Sequence, residues 1–184
     1  MAGTREDAGT AGPVAAYIVC GPESSGNRLV ASILCRSGCD GEGSTRQPHS
    51  LEQLPKAANR PYVCIIHYHL SPWVRALRSR GFARVVAILP IREPMANVQS
   101  MLSRGHRTDF EDGYRYRTVT IARNIVEALA QEVQLEIITY EGLSEPFLAE
   151  WLPRIGLPHV GGGLSLPGQL APPTISNQNG KHYS

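Results

Sequence analysis

The sequence has few of the features that mark a membrane, secreted or nucleic-acid-binding protein. No apolar run approaches the length that spans a bilayer, and residues 1–13 lack the basic and apolar regions of a signal peptide. The formal net charge is only +2, which does not by itself favour a nucleic-acid partner. These absences predict a cytoplasmic protein that binds neither a membrane nor a nucleic acid, with a disordered lead over residues 1–13.

Cysteine pairs and lysines are also scarce. The four cysteines form no C-x-x-C unit, so we expect reduced thiols with a structural role. The 18 Lys+Arg residues include only two lysines, Lys56 and Lys181, which leaves 16 arginines. A GC-rich genome explains this bias most simply, although arginine also suits bidentate contacts with phosphate.

The sequence is instead rich in strands alternating with helices, without an internal repeat. Strands are predicted at residues 17–20, 62–66, 85–89 and 135–139, and the runs at 62–66 and 85–89 are continuously apolar, as is typical of buried parallel strands. Helices are predicted at 29–34, 71–80, 94–102, 114–132 and 143–155. The helix at 114–132 has an apolar face made of Val119, Ala122, Ile125, Val126 and Leu129. This order predicts a three-layer α/β/α domain over residues 14–160 with a central, mainly parallel sheet.

Three polar segments interrupt this pattern. Residues 38–60 are too long for a simple connection in a compact domain, and such loops are usually lids or substrate walls. Residues 105–113 are polar and are predicted to be mobile. Residues 161–184 form a Gly-, Pro- and Asn-rich tail, which would be ordered only by docking on the domain or by a ligand.

The turn after the first predicted strand has the composition of an anion site. Gly21 and Gly26 have the spacing of the phosphate loop G-x-x-x-x-G-K-[ST], with Ser24 and Ser25 between them. The helix that follows directs its unpaired N–H groups and positive dipole end at this turn. Asn27 and Arg28, however, occupy the lysine and hydroxyl positions that Mg-nucleotide hydrolysis requires. The loop therefore suits a phosphate or sulfate group but not nucleotide hydrolysis; the alternative is a strand-to-helix turn that binds nothing.

Further functional side chains follow the other strands, and ligands of such sheets bind at the carboxyl ends of the strands. Arg92 follows the third strand, and Ser100 can face the same anion because eight residues return to nearly the same side of a helix. His67 and His69 follow the second strand, and a histidine titrates where a general base must. His69 could instead cap the helix that begins near Ser71. A His-x-His metal site lacks a third ligand at a convincing spacing, so no metal is predicted.

Taken in order from about residue 17 to 143, these segments resemble the PAPS-dependent sulfotransferases, which transfer a sulfuryl group from 3′-phosphoadenosine-5′-phosphosulfate (PAPS) to a hydroxyl or amine. Arg92, Pro94 and Ser100 match the family's Arg-x-Pro and its Ser eight residues beyond the Arg. His69 occupies the histidine position of the family's Lys-x-His-Leu-Pro segment, and a Tyr-Glu-x-Leu sequence begins at Tyr140. The resemblance implies a P-loop NTPase-like sulfotransferase fold.

The resemblance also implies roles for individual residues. The 5′-phosphosulfate of PAPS would be held by the loop after the first strand, from residues Gly21, Ser24, Ser25, Gly26, Asn27 and Arg28. Its 3′-phosphate would be held by Arg92, Ser100 and, in a shortened version of the family's basic C-terminal segment, Lys181. His69 would be the general base, with 3′-phosphoadenosine-5′-phosphate (PAP) as the second product. We expect a small-molecule or carbohydrate acceptor among residues 38–60, the two histidines and residues 105–113.

One departure from the family leaves alternatives open. The family's loop usually carries a lysine that bridges the leaving oxygen, and none is present here. The positive charge of the missing lysine would have to come from Arg28, from His67 or from another residue. Two other functions therefore remain: a nucleoside or small-molecule kinase with a degenerate P-loop, and a nucleotide-binding module without catalysis.

Overall fold

The computed structural model describes residues 14–41, 50–162 and 166–167. The predictions for the lead at 1–13 and for Lys181 lie outside these residues, as does most of the tail. Within the described ranges, no helix has the length and apolar character needed to cross a bilayer.

A single sheet of five strands organises the described chain, and every strand pair in it is parallel. The strand order is β2-β3-β1-β4-β5. The strands are β1 (Ala15–Val19), β2 (Asp40–Gly41), β3 (Tyr62–Ile65), β4 (Arg84–Ile91) and β5 (Gln134–Thr139). The predicted parallel sheet is thus confirmed, and β2 is a two-residue strand inside the segment 38–60 that was predicted to be a loop.

Helices cover both faces of the sheet. They are α1 (Asn27–Arg36), α2 (Leu70–Ser79), α3 (Pro94–Ser103), α4 (Phe110–Ala130) and α5 (Glu145–Arg154), with short 3-10 helices at Leu51–Gln53 and Tyr140–Gly142. Because successive strand residues point to opposite faces, Tyr17 and Val19 pack with α1 and α5, while Ala16 and Ile18 pack with α2 and α4. The α/β architecture with helices flanking a central sheet is therefore confirmed.

The start of α4 differs from the prediction. The helix begins at Phe110 rather than at residue 114, because Asp109 accepts a hydrogen bond of 2.8 Å from the Asp112 N–H and caps it. That bond also holds the pKa of Asp109 below its usual value. Part of segment 105–113 is therefore helical.

The apolar face predicted for α4 was wrong for most of its residues, since only Ile125 among them packs, partly buried, against the core. Val119, Val126 and Leu129 are 55%, 63% and 69% exposed. The face turned to the protein instead carries the small or polar residues Gly113, Thr120, Asn124 and Ala128. Small side chains let the helix lie close to the sheet, and the Asn124 side-chain amide donates to the Cys20 carbonyl at the end of β1. The helical spacing of apolar residues identifies one face of α4, but a different face of the helix packs against the sheet.

Three of the cysteines, Cys20, Cys39 and Cys64, are buried, and Cys35 is partly exposed. All four fall within the described residues, and no disulfide joins them. Burial raises the pKa of Cys20 and of Cys39 to about 12, so these thiols stay protonated at neutral pH.

The strand order creates a switch point at the carboxyl end of β1. From β1 the chain proceeds through α1 to β2 on one side, whereas from β4 it proceeds through α3 and α4 to β5 on the other side. Since β1 and β4 are neighbours, a crevice opens beyond their carboxyl ends, which is where open α/β sheets bind ligands. The loop that follows β1 and the residue Arg92 that follows β4 both lie there.

Candidate functional site

A cleft of about 620 Å³, here called the central cleft, lies at this switch point. Six of the residues predicted from the sequence line it: Ser24, Gly26, Asn27, Arg28, His67 and Arg92. The remaining lining residues are Glu23, Leu29, Ile65, Arg104, His106 and Tyr140. Gly21, Ser25, Ser100 and His69 are not among the described residues that line it.

The glycine loop (residues 21–26) has a backbone that favours glycine at its end. Gly26 has a φ of 96°, in the left-handed region, and immediately precedes α1. A Cβ atom at Gly26 would lie 2.4 Å from Cδ2 of Tyr140, whose ring packs against the loop. Ser24 also has a positive φ, of 63°. Gly26 is therefore required both by its conformation and by the close approach of Tyr140.

Asn27, at the lysine position of a phosphate loop, braces the loop from within. Its Nδ2 donates to the carbonyls of Gly21 (2.9 Å) and Pro22 (3.2 Å), and its Oδ1 accepts from the Gly21 N–H at 3.1 Å. Ser25 Oγ donates to the Pro22 carbonyl at 2.6 Å and also lies 3.3 Å from Asn27 Oδ1. The predicted residues Gly21, Ser25 and Asn27 therefore hold the shape of the loop, and the side-chain polar atoms of Ser25 and Asn27 are engaged within it.

The surface of the loop that faces the cleft retains donors. Ser24 Oγ is buried and has no hydrogen-bond partner among the described residues. Arg28, in the first turn of α1, is exposed at the cleft. A helix N-terminus also presents backbone N–H groups without intrahelical partners. Because a buried polar atom without a partner is costly, this arrangement favours an anion as the ligand.

Arg92 approaches the cleft from the end of β4. Its guanidinium carbon lies 4.9 Å from the centre of the Tyr140 ring, and its Nε lies 3.7 Å from Oε1 of Glu141. This Nε is buried without a hydrogen-bond partner in the described part of the chain. Arg92 is thus held in position on one side while it keeps the capacity to bind an oxyanion.

Ser100 is not brought to the cleft with Arg92. It lies in α3, six residues after Pro94, and a rise of 1.5 Å per residue places it about 9 Å along the axis from the start of the helix. The start of α3 is capped by Glu93, whose carboxylate accepts from the N–H groups of Met95 and Ala96. These hydrogen bonds hold the pKa of Glu93 below its usual value.

Of the two predicted histidines, the structure places His67 in the cleft. Burial lowers the pKa of His67 below its ordinary value of 6.5; Glu23 opposes this effect, while Arg28 and His106 add to it. The imidazole is therefore neutral at pH 7, which is the state a general base needs.

His69 is placed differently, outside the central cleft. Its side chain is 66% exposed, and its Nδ1 lies 2.6 Å from Oε1 of Glu127 on α4. The other oxygen of Glu127 accepts a hydrogen bond of 2.7 Å from the Ser71 N–H, in the first turn of α2. Although burial acts to raise it, the hydrogen bonds from Ser71 and His69 hold the pKa of Glu127 below its usual value. His69 and Glu127 thus fasten the start of α2 to α4.

Residues that the sequence analysis did not assign also shape the cleft. Arg104 adds positive charge at the end of α3, and His106 lines the cleft beside it. The carboxylate of Glu23 lies 3.7 Å from Arg107, which offsets the negative charge of Glu23. The backbone carbonyl of Glu23 accepts a hydrogen bond of 2.8 Å from the Asn97 side chain. The signal in the sequence that could have identified Arg104 and His106 is that two basic residues lie close together in a short polar segment.

The two histidines do not form a metal site together. In the described residues, no three His, Cys, Asp or Glu side chains are placed to hold one metal ion.

No protein-family model matches this chain, and no curated protein matches its sequence.

Proposed function

We propose that this protein transfers a sulfuryl group from PAPS to a hydroxyl or amine of a small-molecule or carbohydrate acceptor. One observation carries the proposal: a lysine-free anion loop, Arg92 and the neutral His67 converge on one cleft at the switch point of a parallel sheet. Its volume of about 620 Å³ lies within the usual range for small-molecule and cofactor sites.

The cleft fits a ligand with two anionic groups. Ser24 Oγ and Arg92 Nε are buried polar atoms that lack hydrogen-bond partners in the described residues, and they belong to two elements that line the cleft, the loop after β1 and the end of β4. We assign the phosphosulfate to the glycine loop with Arg28, and the 3′-phosphate to Arg92. Lys181 stays a prediction for the same phosphate, since it lies outside the described residues.

Positive charge in the cleft would replace the missing lysine. Arg28, Arg104 and His106 all line it, and the charge of Glu23 is offset by Arg107. Such groups stabilise the negative charge that develops on a leaving phosphate. A Mg-nucleotide kinase is disfavoured, because the polar atoms of Asn27 are engaged inside the loop and Arg28 stands where a metal-binding hydroxyl is needed.

The proposed role of general base belongs to His67 rather than His69. PAPS supplies the sulfuryl group: a new S–O bond to an acceptor hydroxyl, or S–N bond to an acceptor amine, forms, the S–O bond to the 5′-phosphate breaks, and PAP leaves. His67 accepts the proton of the acceptor hydroxyl or amine as that bond forms. Its burial keeps it neutral beforehand, and the surrounding anionic ligand stabilises the imidazolium afterwards.

The experiment compares His67→Gln with His69→Gln as a matched control. Transfer of radiolabelled sulfate from PAPS is measured over a panel of phenols, and PAP binding is measured by calorimetry. Loss of a general base costs about 10²- to 10⁴-fold in rate, so His67→Gln should lose transfer and keep PAP binding. His69→Gln should keep both. The reverse result would make His69 the base, and PAP binding without transfer by the parent would favour the non-catalytic module.

A further inference from the structure

A second cleft, here called the side cleft, adjoins the central cleft. It has a volume of about 450 Å³ and shares Glu23 and His67 with the central cleft. Its other walls include Tyr68, Arg107, Tyr116, Val119 and Arg123. A molecule in the side cleft could therefore contact His67, which also lines the central cleft.

The polar feature of the side cleft is Arg123, which lies on α4. Its Nε and Nη2 are buried, and neither has a hydrogen-bond partner in the described residues. Two carboxylates, on α4 and in the side cleft, have other partners: Glu127 is bonded to Ser71 and His69, and Glu23 lies 3.7 Å from Arg107, although Oε2 of Glu23 has no hydrogen-bond partner in the described residues. Since buried guanidinium nitrogens require acceptors, this arrangement calls for an external anion.

The charge balance of the side cleft indicates a singly charged group. Arg107 is paired with Glu23 at 3.7 Å and with Asp112 at 3.8 Å, which leaves Arg123 as the cation of the side cleft without an ion pair in the described residues, beside a neutral His67. A carboxylate matches that balance better than a phosphate dianion, and its two oxygens fit the planar fork of a guanidinium.

The remaining walls are aromatic and apolar. The guanidinium of Arg107 lies 3.6 Å from the centre of the Tyr116 ring, which fixes that ring as one wall. Tyr68 and Val119 are well exposed beside it, at 76% and 55%. Aromatic and apolar surface of this kind binds a flat organic body and leaves orientation to the few polar groups.

We propose that the side cleft is the acceptor site and that its acceptor is a hydroxyl compound with a flat apolar body and a carboxylate, which Arg123 binds. The hydroxyl then points to His67, at the boundary of the two clefts. The identification of the ligand as an acceptor rests on the proposed function. The presence of a carboxylate-binding site rests only on Arg123 and its surroundings.

The test uses a matched pair of probes, 4-hydroxyphenylacetate and its neutral amide 4-hydroxyphenylacetamide. Each is titrated into the full chain and followed by calorimetry and by the NMR signal of the Arg123 Nε–H group. A charge-assisted hydrogen bond predicts that the acid binds about ten- to a hundredfold more tightly than the amide. The Arg123 signal should shift with the acid only.

Three variants test the role of Arg123. Arg123→Gln should abolish the preference for the acid, and Arg123→Lys, which keeps the charge but loses the planar fork, should retain part of it. Arg75→Gln, an exposed arginine on α2, should leave the preference unchanged. Equal binding of acid and amide to the parent, or no response to either at the solubility limit, would overturn the inference.

A PAP titration on the same samples separates this inference from the proposed function. PAP binding together with equal responses to acid and amide would reject the carboxylate acceptor and leave sulfuryl transfer standing. A preference for the acid without PAP binding would reject sulfuryl transfer and retain the carboxylate site.

Discussion

Replacing Asn27 by alanine should destabilise the protein because hydrogen bonds inside the glycine loop are lost, not because a contact with a ligand is lost. The side chain is 6% exposed and makes hydrogen bonds to both the N–H and the carbonyl of Gly21, a further bond to the Pro22 carbonyl and a contact with Ser25 Oγ. Alanine would leave the N–H and the carbonyl of Gly21 buried without these partners. Each such group costs about 1–3 kcal/mol, so we expect the free energy of unfolding to fall by about 2–4 kcal/mol, after some relaxation of the loop.

The assay is urea unfolding followed by circular dichroism, with Arg28→Ala as the matched control from the next position. Arg28 is exposed, so its removal should change the free energy of unfolding by less than about 0.5 kcal/mol while it weakens PAP binding. If Asn27→Ala unfolded at the parent's urea midpoint, the bracing role of Asn27 would be refuted. Its side chain would then be available for a ligand, as in an ordinary phosphate loop.

Three further predictions concern the central cleft. Arg92→Gln should weaken PAP binding by about ten- to a hundredfold but 5′-AMP binding much less, because only PAP carries the 3′-phosphate; equal losses in calorimetry would remove Arg92 from that role. The pKa of His67 lies below 6.5 in the free protein, and a bound anion should raise it, so PAP affinity should increase as the pH falls through that range. NMR titration of the His67 ring with and without PAP measures this shift, and an unchanged pKa would contradict it. Gly26→Ala should reduce PAP binding sharply, since its Cβ would meet the Tyr140 ring and its φ of 96° disfavours alanine; calorimetry showing parental affinity would mean that the loop tolerates another shape.

The strands and the location of the site could be predicted from the sequence because both depend on local patterns. Buried parallel strands are continuous apolar runs, and the loop after the first of them carries its glycines at a fixed spacing. The two-residue β2 is too short to have a pattern of its own. The packed face of α4 was missed because Thr120 and Asn124 are polar and Ala128 is small, and their burial depends on a close approach to β1 that only tertiary structure creates.

The roles of individual side chains could be predicted less well. His67 and His69 are two residues apart, and only the path of the chain between β3 and α2 decides which of them meets the cleft. Likewise, spacing placed Asn27 at a ligand-binding position, whereas its short amide reaches the backbone of its own loop. No sequence motif marks Arg123. Its importance follows only from the structure, in which its buried nitrogens have no hydrogen-bond partner among the described residues.

The central claim is that the cleft binds the two anionic groups of a 3′-phosphorylated adenosine donor. Calorimetric titration of the protein with PAP, beside 5′-AMP and ATP-Mg, tests it most directly. The account predicts that PAP binds selectively. Binding of ATP-Mg without binding of PAP would contradict it and would make a kinase with a degenerate phosphate loop the better explanation.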